Sequence, residues 1–344
     1  MTSEPFAESA AARVRAYMER VGEDGAKVQA LTPDASAREY FRVPWGPGTA
    51  LVAAYPEPFD AATQPFLDVT RLFQTAQLPV PDIYEVAAQT GLVIQEDCGD
   101  CQLAAFYRTA SEEALEDYRE QAIGLIARIQ GATQLARESG SCAGLLAFDE
   151  AKLGWELNFF QEHFFGSLRK EKLSYRESEQ IGDELKELSV ELAARPQVLC
   201  HRDFHAGNLL VDRKGRLRII DYQDARLGPA TYDLVSLLLD RVLLPPSLAE
   251  LRAGRLALLE ERVKIGLPAL DCEELAWEFR LMSVQRVLKA VGTFSYQTGV
   301  RGRGALYAHY IQPMLQVVLQ ALTWLGRWPV LHKILQERAT QSYL

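Results

Sequence analysis

The sequence lacks the features of membrane, secreted and nucleic-acid-binding proteins. Its 344 residues contain no apolar run as long as a membrane span, and residues 1–15 lack the apolar core of a signal peptide. The net charge is −9 and no basic stripe stands out, which argues against nucleic acid as the main partner. Acidity of this kind is usually a solubility feature, and a cationic substrate is the alternative. These absences predict a cytoplasmic protein.

Cysteine is also scarce, and its five scattered positions do not form a disulfide framework. Cys98 and Cys101 form a lone CxxC, which is compatible with a redox pair or half of a zinc site. No second CxxC or HxxxH lies nearby to complete four ligands, so we predict a turn with free thiols and no zinc. Cys200 lies inside an apolar run and is predicted to be buried.

The chain is too long for one simple core, and its hydropathy pattern changes near residue 100. Short strand-like runs at 28–31, 39–43, 51–54, 83–87 and 91–95 surround one helical segment at 66–77. Helical patterns dominate the rest of the chain, where two short strands interrupt them. We therefore predict an α+β protein with a small β-rich lobe, residues 1–97, and a larger helical lobe, residues 98–344.

The motif HRDFHAGN, residues 201–208, follows one of these two strands, and a second apolar run, 217–220, ends at Asp221. The first motif fits the spacing H-R-D-x-x-x-x-N of the catalytic loop in protein-kinase-like phosphotransferases. In that interpretation Asp203 orients and deprotonates an acceptor hydroxyl, while Asn208 and Asp221 hold Mg²⁺ against ATP. A polar turn is the alternative, and two motifs in this order, each after a strand, favour the catalytic loop.

Three further residues near these motifs are predicted to be structural. His201 and His205 fall in the loop, where we expect each to brace the backbone rather than bind a metal. Asp233 opens an apolar helical run, so it stabilises the start of that helix or anchors the catalytic loop from below.

Common phosphate-binding sequences are missing. The chain has no G-x-x-x-x-G-K-[ST], and residues 301–306, RGRGAL, lack the third glycine of a dinucleotide loop. The nucleotide is therefore expected between the lobes, under the loop TPDASA at 32–37. Ser36 and backbone amides would donate to its phosphates, and the Glu96 carbonyl and Cys98 amide would read adenine.

A lysine is also absent from the third strand, ALVAAYPEP, where kinases place one to pair the α- and β-phosphates. Arg38 and Arg42 lie beside the phosphate loop, and Arg38 is nearer to its tip. We predict that Arg38 substitutes for the lysine. A solvated strand charge is the alternative.

With HRDFHAGN and IIDYQDARLGPATYDLVSLL, the sequence resembles the aminoglycoside phosphotransferase (choline kinase-like) superfamily. Further stretches, including LTPDASAREYFRV, WELNFFQEHF and LMSVQRVLKAVGTF, are similar to the bacterial anomeric N-acetylmuramate/N-acetylglucosamine kinases. The resemblance covers roughly residues 28 to 295. It implies a protein-kinase-like bilobal fold, Asp203 as catalytic base, ATP and Mg²⁺ as cofactors, and an amino sugar phosphorylated at its C1 hydroxyl.

The resemblance also implies an acceptor site in the helical lobe. The polar residues in the matching segments are Glu156, Glu162, Gln285, Arg286 and Lys289. An exposed amphipathic helix face is the alternative for each of them.

Two rival functions stay open at this point. The same chemistry could serve another hydroxyl, that of an aminoglycoside, choline or homoserine. The absent strand lysine instead suggests a nucleotide-binding pseudokinase, although a scaffold has no need of the metal pair Asn208 and Asp221.

Overall fold

This computed structural model describes residues 8–23, 25–31, 38–107, 110–171 and 173–338. The N-terminal lobe is built on a five-stranded antiparallel sheet with the strand order β1-β2-β3-β5-β4. The strands are β1 (Gln29–Ala30), β2 (Glu39–Trp45), β3 (Gly48–Ala54), β4 (Ile83–Ala87) and β5 (Leu92–Glu96). Their positions confirm the five strands predicted for this lobe.

Helix α1 (Ala10–Arg20) packs against this sheet and was not among the predicted elements. Its buried Val14 and Met18 share a hydrophobic cluster with Phe41 and Val52 of the sheet. The expectation of a single helix in the small lobe is therefore wrong. The buried positions of α1, Ala10, Arg13, Val14, Tyr17 and Met18, follow the helical spacing i, i+3, i+4, i+7 and i+8, so the pattern was present in the sequence.

The predicted helix of the small lobe, α2 (Pro65–Thr75), connects the sheet to the larger lobe. It begins with proline, whose fixed backbone angle suits the first turn of a helix. Its Phe66 and Phe73 rings lie 5.5 and 5.3 Å from the ring of Tyr222, the residue after Asp221. Packing of α2 therefore fixes the backbone next to one predicted metal ligand.

The larger lobe is mostly helical. Its helices are α3 (Leu103–Phe106), α4 (Glu112–Gly131), α5 (Thr133–Glu138), α6 (Cys142–Leu145), α7 (Glu150–Gln161), α8 (Tyr175–Ala193), α9 (Tyr232–Leu239), α10 (Leu248–Lys264), α11 (Cys272–Gly299), α12 (Gly304–Leu325) and α13 (Pro329–Arg338). A π-helical segment, Glu162–Leu168, continues α7. Across the described ranges, we find no helix with the length and apolar content that a bilayer span requires.

Helices α7 and α11 approach each other closely, and this contact shapes the predicted acceptor region. At their crossing Gly292 faces the backbone of Phe160, and a Cβ at position 292 would lie 2.7 Å from Phe160 Cα. Glycine is required there because any side chain would push the helices apart.

Two short antiparallel strand pairs carry the catalytic motifs. β6 (Gln197–Cys200) pairs with β9 (Arg226–Pro229), and β7 (Leu209–Val211) pairs with β8 (Leu217–Ile219). HRDFHAGN connects β6 to β7, and Asp221 follows β8 by two residues. The architecture confirms the predicted α+β class with a β-rich lobe followed by a helical lobe.

Candidate active site

The catalytic loop is anchored by a single buried carboxylate. Asp233, in the first turn of α9, accepts hydrogen bonds from the N–H groups of His201 at 2.7 Å and Arg202 at 3.0 Å. Arg202 has φ of +86°, a left-handed conformation that is costly for a residue other than glycine. The two bonds to Asp233 offset that cost and confirm its predicted anchoring role.

The two loop histidines brace the backbone, as predicted. His201 Nε2 donates to the Ile220 carbonyl at 3.0 Å, which ties the catalytic loop to the segment that carries Asp221. His205 Nδ1 accepts a hydrogen bond from the Gly207 N–H at 3.2 Å. Burial lowers the pKa of His205 to about 4, so its ring is neutral at physiological pH.

Asp203 is held by two cations on one side and is open on the other. Its Oδ1 accepts hydrogen bonds from Lys289 Nζ at 2.9 Å and Arg286 Nη2 at 3.1 Å, while Oδ2 lies 3.9 Å from Arg202 Nε. Burial alone would raise the pKa of Asp203, but the charges of Lys289, Arg286 and Arg202 hold it well below its usual range. The carboxylate is therefore ionised, weakly basic, and positioned to direct Oδ2 at an acceptor hydroxyl.

Asn208 and Asp221 lie together beside this carboxylate. Asn208 Nδ2 donates to the Asp203 carbonyl at 2.9 Å and lies 3.5 Å from Asp221 Oδ2. The donation of Nδ2 leaves the amide oxygen of Asn208 available, and the Asp221 side chain is 47% exposed. In the part of the chain described above, no three histidine, cysteine or acidic side chains group to enclose a metal. Two hard oxygen donors fit Mg²⁺, which binds few protein groups and completes its shell with phosphate oxygens and water.

Arg38 lies next to Asp221, one of the predicted metal ligands, whereas Arg42 binds other residues. Arg38 Nη2 is 3.6 Å from Asp221 Oδ1, and its guanidinium lies 5.9 Å from the centre of the Phe66 ring. Arg42 forms two-pronged hydrogen bonds to Asp97 and to Asp100 in the segment between the lobes. The geometry thus distinguishes the two arginines that the sequence left as candidates.

The nucleotide-binding predictions are placed only in part. Ser36 lies outside the described residues. The carboxylate of Glu96 forms an ion pair with Arg218. The backbone N–H of Glu96 donates a hydrogen bond to the Asp82 carbonyl at 2.8 Å. Cys98 is half-buried, and burial raises the pKa of its thiol to about 12. Adenine recognition by the Glu96 carbonyl and the Cys98 amide stays a prediction.

The five predicted acceptor residues fall into different environments. Arg286 and Lys289 contact Asp203, as described above. Gln285 and Glu156 are buried and bind each other, Gln285 Nε2 donating to Glu156 Oε2 at 3.0 Å. Glu162 is on the π-helical segment with 73% of its side chain exposed, and it pairs with His163 at 3.9 Å. Gln285 and Glu156 thus brace each other, their contact with an acceptor stays a prediction, and the structure does not show Glu162 in contact with Asp203.

Two contributors to the site were missed in the sequence. Asp240 accepts a hydrogen bond from Arg286 Nη2 at 2.8 Å, which holds that guanidinium behind Asp203. Lys152 lies 3.7 Å from Glu156 Oε1 on the same helix. An acidic residue at the end of the apolar run LVSLLLD was the available signal for Asp240.

Comparisons with known proteins agree with this geometry. The family model "Phosphotransferase enzyme family" matches residues 27–271. An N-acetylmuramate/N-acetylglucosamine kinase of Neisseria meningitidis serogroup B is 31% identical over 265 residues, 76% of this chain and 76% of that protein.

Solved structures show the same fold at low identity. A choline/ethanolamine kinase family protein from Mesorhizobium loti superposes with a TM-score of 0.58 at 14% identity, covering 94% of this chain and 98% of that one. The ADP-bound aminoglycoside phosphotransferase APH(2'')-Ib gives 0.55 at 15% identity, with 92% and 99% covered. These likenesses confirm the protein-kinase-like fold. Since the family model spans well over half of the sequence and the catalytic loop is assembled as the motif predicts, the chain belongs to the phosphotransferase enzyme family and is a small-molecule kinase.

Proposed function

We propose that this enzyme transfers the γ-phosphoryl group of ATP to the C1 hydroxyl of an N-acetylated amino sugar, N-acetylmuramate or N-acetylglucosamine. Its place would be the cytoplasm, in the recycling of cell-wall sugars. The 31% identity to a kinase named for those two sugars supports the substrate class. Similarity in both lobes, rather than in the catalytic loop alone, supports the choice among acceptors.

The observation that carries the proposal is the placement of Asp203, whose Oδ1 is bound by Lys289 and Arg286 and whose loop brings Asn208 beside Asp221. Burial would raise the pKa of Asp203, but the charges of Lys289, Arg286 and Arg202 hold it well below its usual range, so the carboxylate is ionised. A hemiacetal hydroxyl is more acidic than an ordinary alcohol. Proton transfer late in a loose transition state then needs no stronger base than this carboxylate.

The proposed reaction is an in-line displacement. The acceptor oxygen forms a bond to the γ-phosphorus while the bond from that phosphorus to the bridging oxygen breaks and ADP leaves. The hydroxyl proton passes to Asp203 Oδ2, the oxygen opposite the two cations. Arg38 would bind phosphate oxygens beside Asp221. Mg²⁺ held by Asn208 and Asp221 would supply the positive charge that neutralises the transferring and leaving phosphates.

The pseudokinase alternative is disfavoured by the position of Arg38. A cation 3.6 Å from Asp221 supplies positive charge where kinases use the strand lysine. Other hydroxyl acceptors are kept as outcomes of the test.

The test is a coupled ADP-release assay over amino sugars, aminoglycosides, choline and homoserine, with Asp203→Asn as the inactive control. We expect turnover with the two N-acetylated sugars, and phosphorus NMR of the product should show coupling to the anomeric proton. Their methyl glycosides, which lack a free C1 hydroxyl, should be inert. Phosphorylation of a methyl glycoside would move the chemistry to another carbon and overturn the C1 assignment.

A further inference from the structure

A group of basic side chains surrounds the acceptor side of Asp203. Arg286 and Lys289 bind its Oδ1 directly. Lys152 of α7 lies near this region, because its Nζ is 3.7 Å from Glu156 Oε1, and the other oxygen of Glu156 accepts a hydrogen bond from Gln285, the neighbour of Arg286 on α11. Helix α7 thus brings another cation to a site that two cations of α11 already line.

Each of these cations, like Arg202 and Arg226, has a carboxylate within 4 Å. Asp224 lies 3.0 Å from Arg202 Nη1 and 3.7 Å from Arg226 Nη2. Asp203 accepts a hydrogen bond from Lys289, and Arg286 donates hydrogen bonds to both Asp203 and Asp240.

Lys152 is paired with Glu156 as loosely as Arg226 is with Asp224, since its Nζ lies 3.7 Å from Glu156 Oε1, beyond hydrogen-bonding distance. Glu156 directs its other oxygen to Gln285. The Lys152 side chain is 25% exposed to solvent, which leaves room for a ligand to reach it.

The surroundings of Lys152 suit a sugar. Lys152, Trp155, Glu156 and Phe159 share one face of α7, since they are spaced by three, four and seven residues. Lys152 Nζ lies 4.2 Å from the centre of the Trp155 ring, and Trp155 is 56% exposed. An exposed indole beside a charged group offers an apolar surface for a pyranose ring next to a partner for its ionic substituent.

We propose that Lys152 binds a carboxylate on the acceptor and thereby sets the preference of the enzyme for acidic over neutral amino sugars. This inference rests on the proposed function. A carboxylate matches the single charge of the ammonium group, and a charge-assisted hydrogen bond in a partly buried site is stronger than one between neutral groups. A neutral sugar makes no such bond, so it gains no binding affinity from the charge at position 152.

The test compares kcat/KM for N-acetylmuramate, its methyl ester and N-acetylglucosamine in the wild type, Lys152→Met and Lys152→Arg. For Lys152→Met we expect a loss on the order of 10- to 100-fold with the acid alone, because a hydrogen bond to a charged group is removed. The ester and the neutral sugar should both fall by a smaller and equal factor, because the variant also removes the positive charge beside the buried Glu156. Lys152→Arg should retain most of the preference, and Lys186→Met, which removes an exposed lysine on α8, should behave as the wild type.

The neutral sugar also reports whether each variant is folded. An equal fall with all three acceptors would overturn the inference and make Lys152 a structural residue. Unchanged constants for all three would exclude contact with the acceptor, and in both cases the proposed function would stand. Absence of turnover with every sugar in the wild type would refute the proposed function and this inference with it.

Discussion

The anchoring of the catalytic loop by Asp233 leads to a quantitative prediction for Asp233→Asn. Each carboxylate oxygen accepts one backbone N–H, from His201 and from Arg202. An asparagine has one accepting oxygen and turns its NH₂ group toward the second donor. One buried N–H left unpaired costs about 1–3 kcal/mol in the free energy of unfolding.

Asp233→Asn should also lower kcat, and by more than its effect on the free energy of unfolding alone would cause. Arg202 is held at φ of +86°, and relaxation from a left-handed conformation releases about 1–2 kcal/mol. Because Asp203 is the next residue, relaxation displaces the catalytic carboxylate. A displacement of about 1 Å lowers kcat on the order of 10²-fold. Urea denaturation and steady-state ADP release measure the two effects.

Glu278→Gln is the matched control. Glu278 is also a buried acid, but its Oε1 alone accepts both the N–H and the hydroxyl of Thr231, each at 2.9 Å. Glutamine keeps that oxygen, so stability and kcat should change little. The reasoning is refuted if Asp233→Asn turns over within twofold of the wild type, or if Glu278→Gln loses as much stability as Asp233→Asn.

The pH dependence of the wild type provides a second check on Asp233. Burial raises the pKa of Asp233 to about 7, and only the ionised carboxylate accepts both N–H groups. Activity should therefore rise as the pH increases through about 7, although Asp203 is ionised far below that pH. In Asp233→Asn the low residual kcat/KM should lose this rise, which Glu278→Gln should retain.

Further predictions concern the remaining groups of the site. Asp203→Asn should lower kcat on the order of 10²-fold or more with nucleotide affinity retained, and turnover near the wild-type value would exclude it as the base. Asp221→Ala should raise the Mg²⁺ concentration needed for half-maximal activity, and an unchanged magnesium titration would assign the ion to another carboxylate. Arg38→Met should raise the KM for ATP with little change in the KM for the acceptor, whereas equal changes in both would refute phosphate contact. Elemental analysis should find no stoichiometric zinc at Cys98 and Cys101, and one zinc per chain would contradict the prediction of free thiols.

Local sequence patterns were sufficient for most of the fold. The five strands of the small lobe are apolar runs or alternate between apolar and polar residues, and turn residues separate them. The hydrophobic period and the turn residues were therefore sufficient to locate each strand. Helix α1 was missed although its buried residues follow helical spacing. The burial of Cys200 was predicted from the apolar run around it, whereas the structure was needed to show that Asp233 anchors the loop in addition to beginning α9.

The acceptor region could not be predicted to the same depth because its contacts join segments far apart in sequence. A polar residue on a helix looks the same in the sequence whether it faces solvent, a buried partner or a ligand. Gln285 and Glu156 are 129 residues apart and form a hydrogen bond with each other in the core. Lys152 drew no attention because its importance depends on α7 lying beside α11, a contact that requires glycine at position 292.

These corrections separate the chemistry of the site from its selectivity. Helix α11 supplies the two cations that keep Asp203 ionised, and its Gln285 is bound to Glu156 of α7, so the two helices form one rigid support for the base. Substitutions within that support should change kcat for every acceptor alike. Lys152 and Trp155 lie at the exposed edge of the same support, where a side chain can change without moving Asp203. We therefore expect substitutions on this exposed face of α7 to change the preference among acceptors more than the rate of phosphoryl transfer.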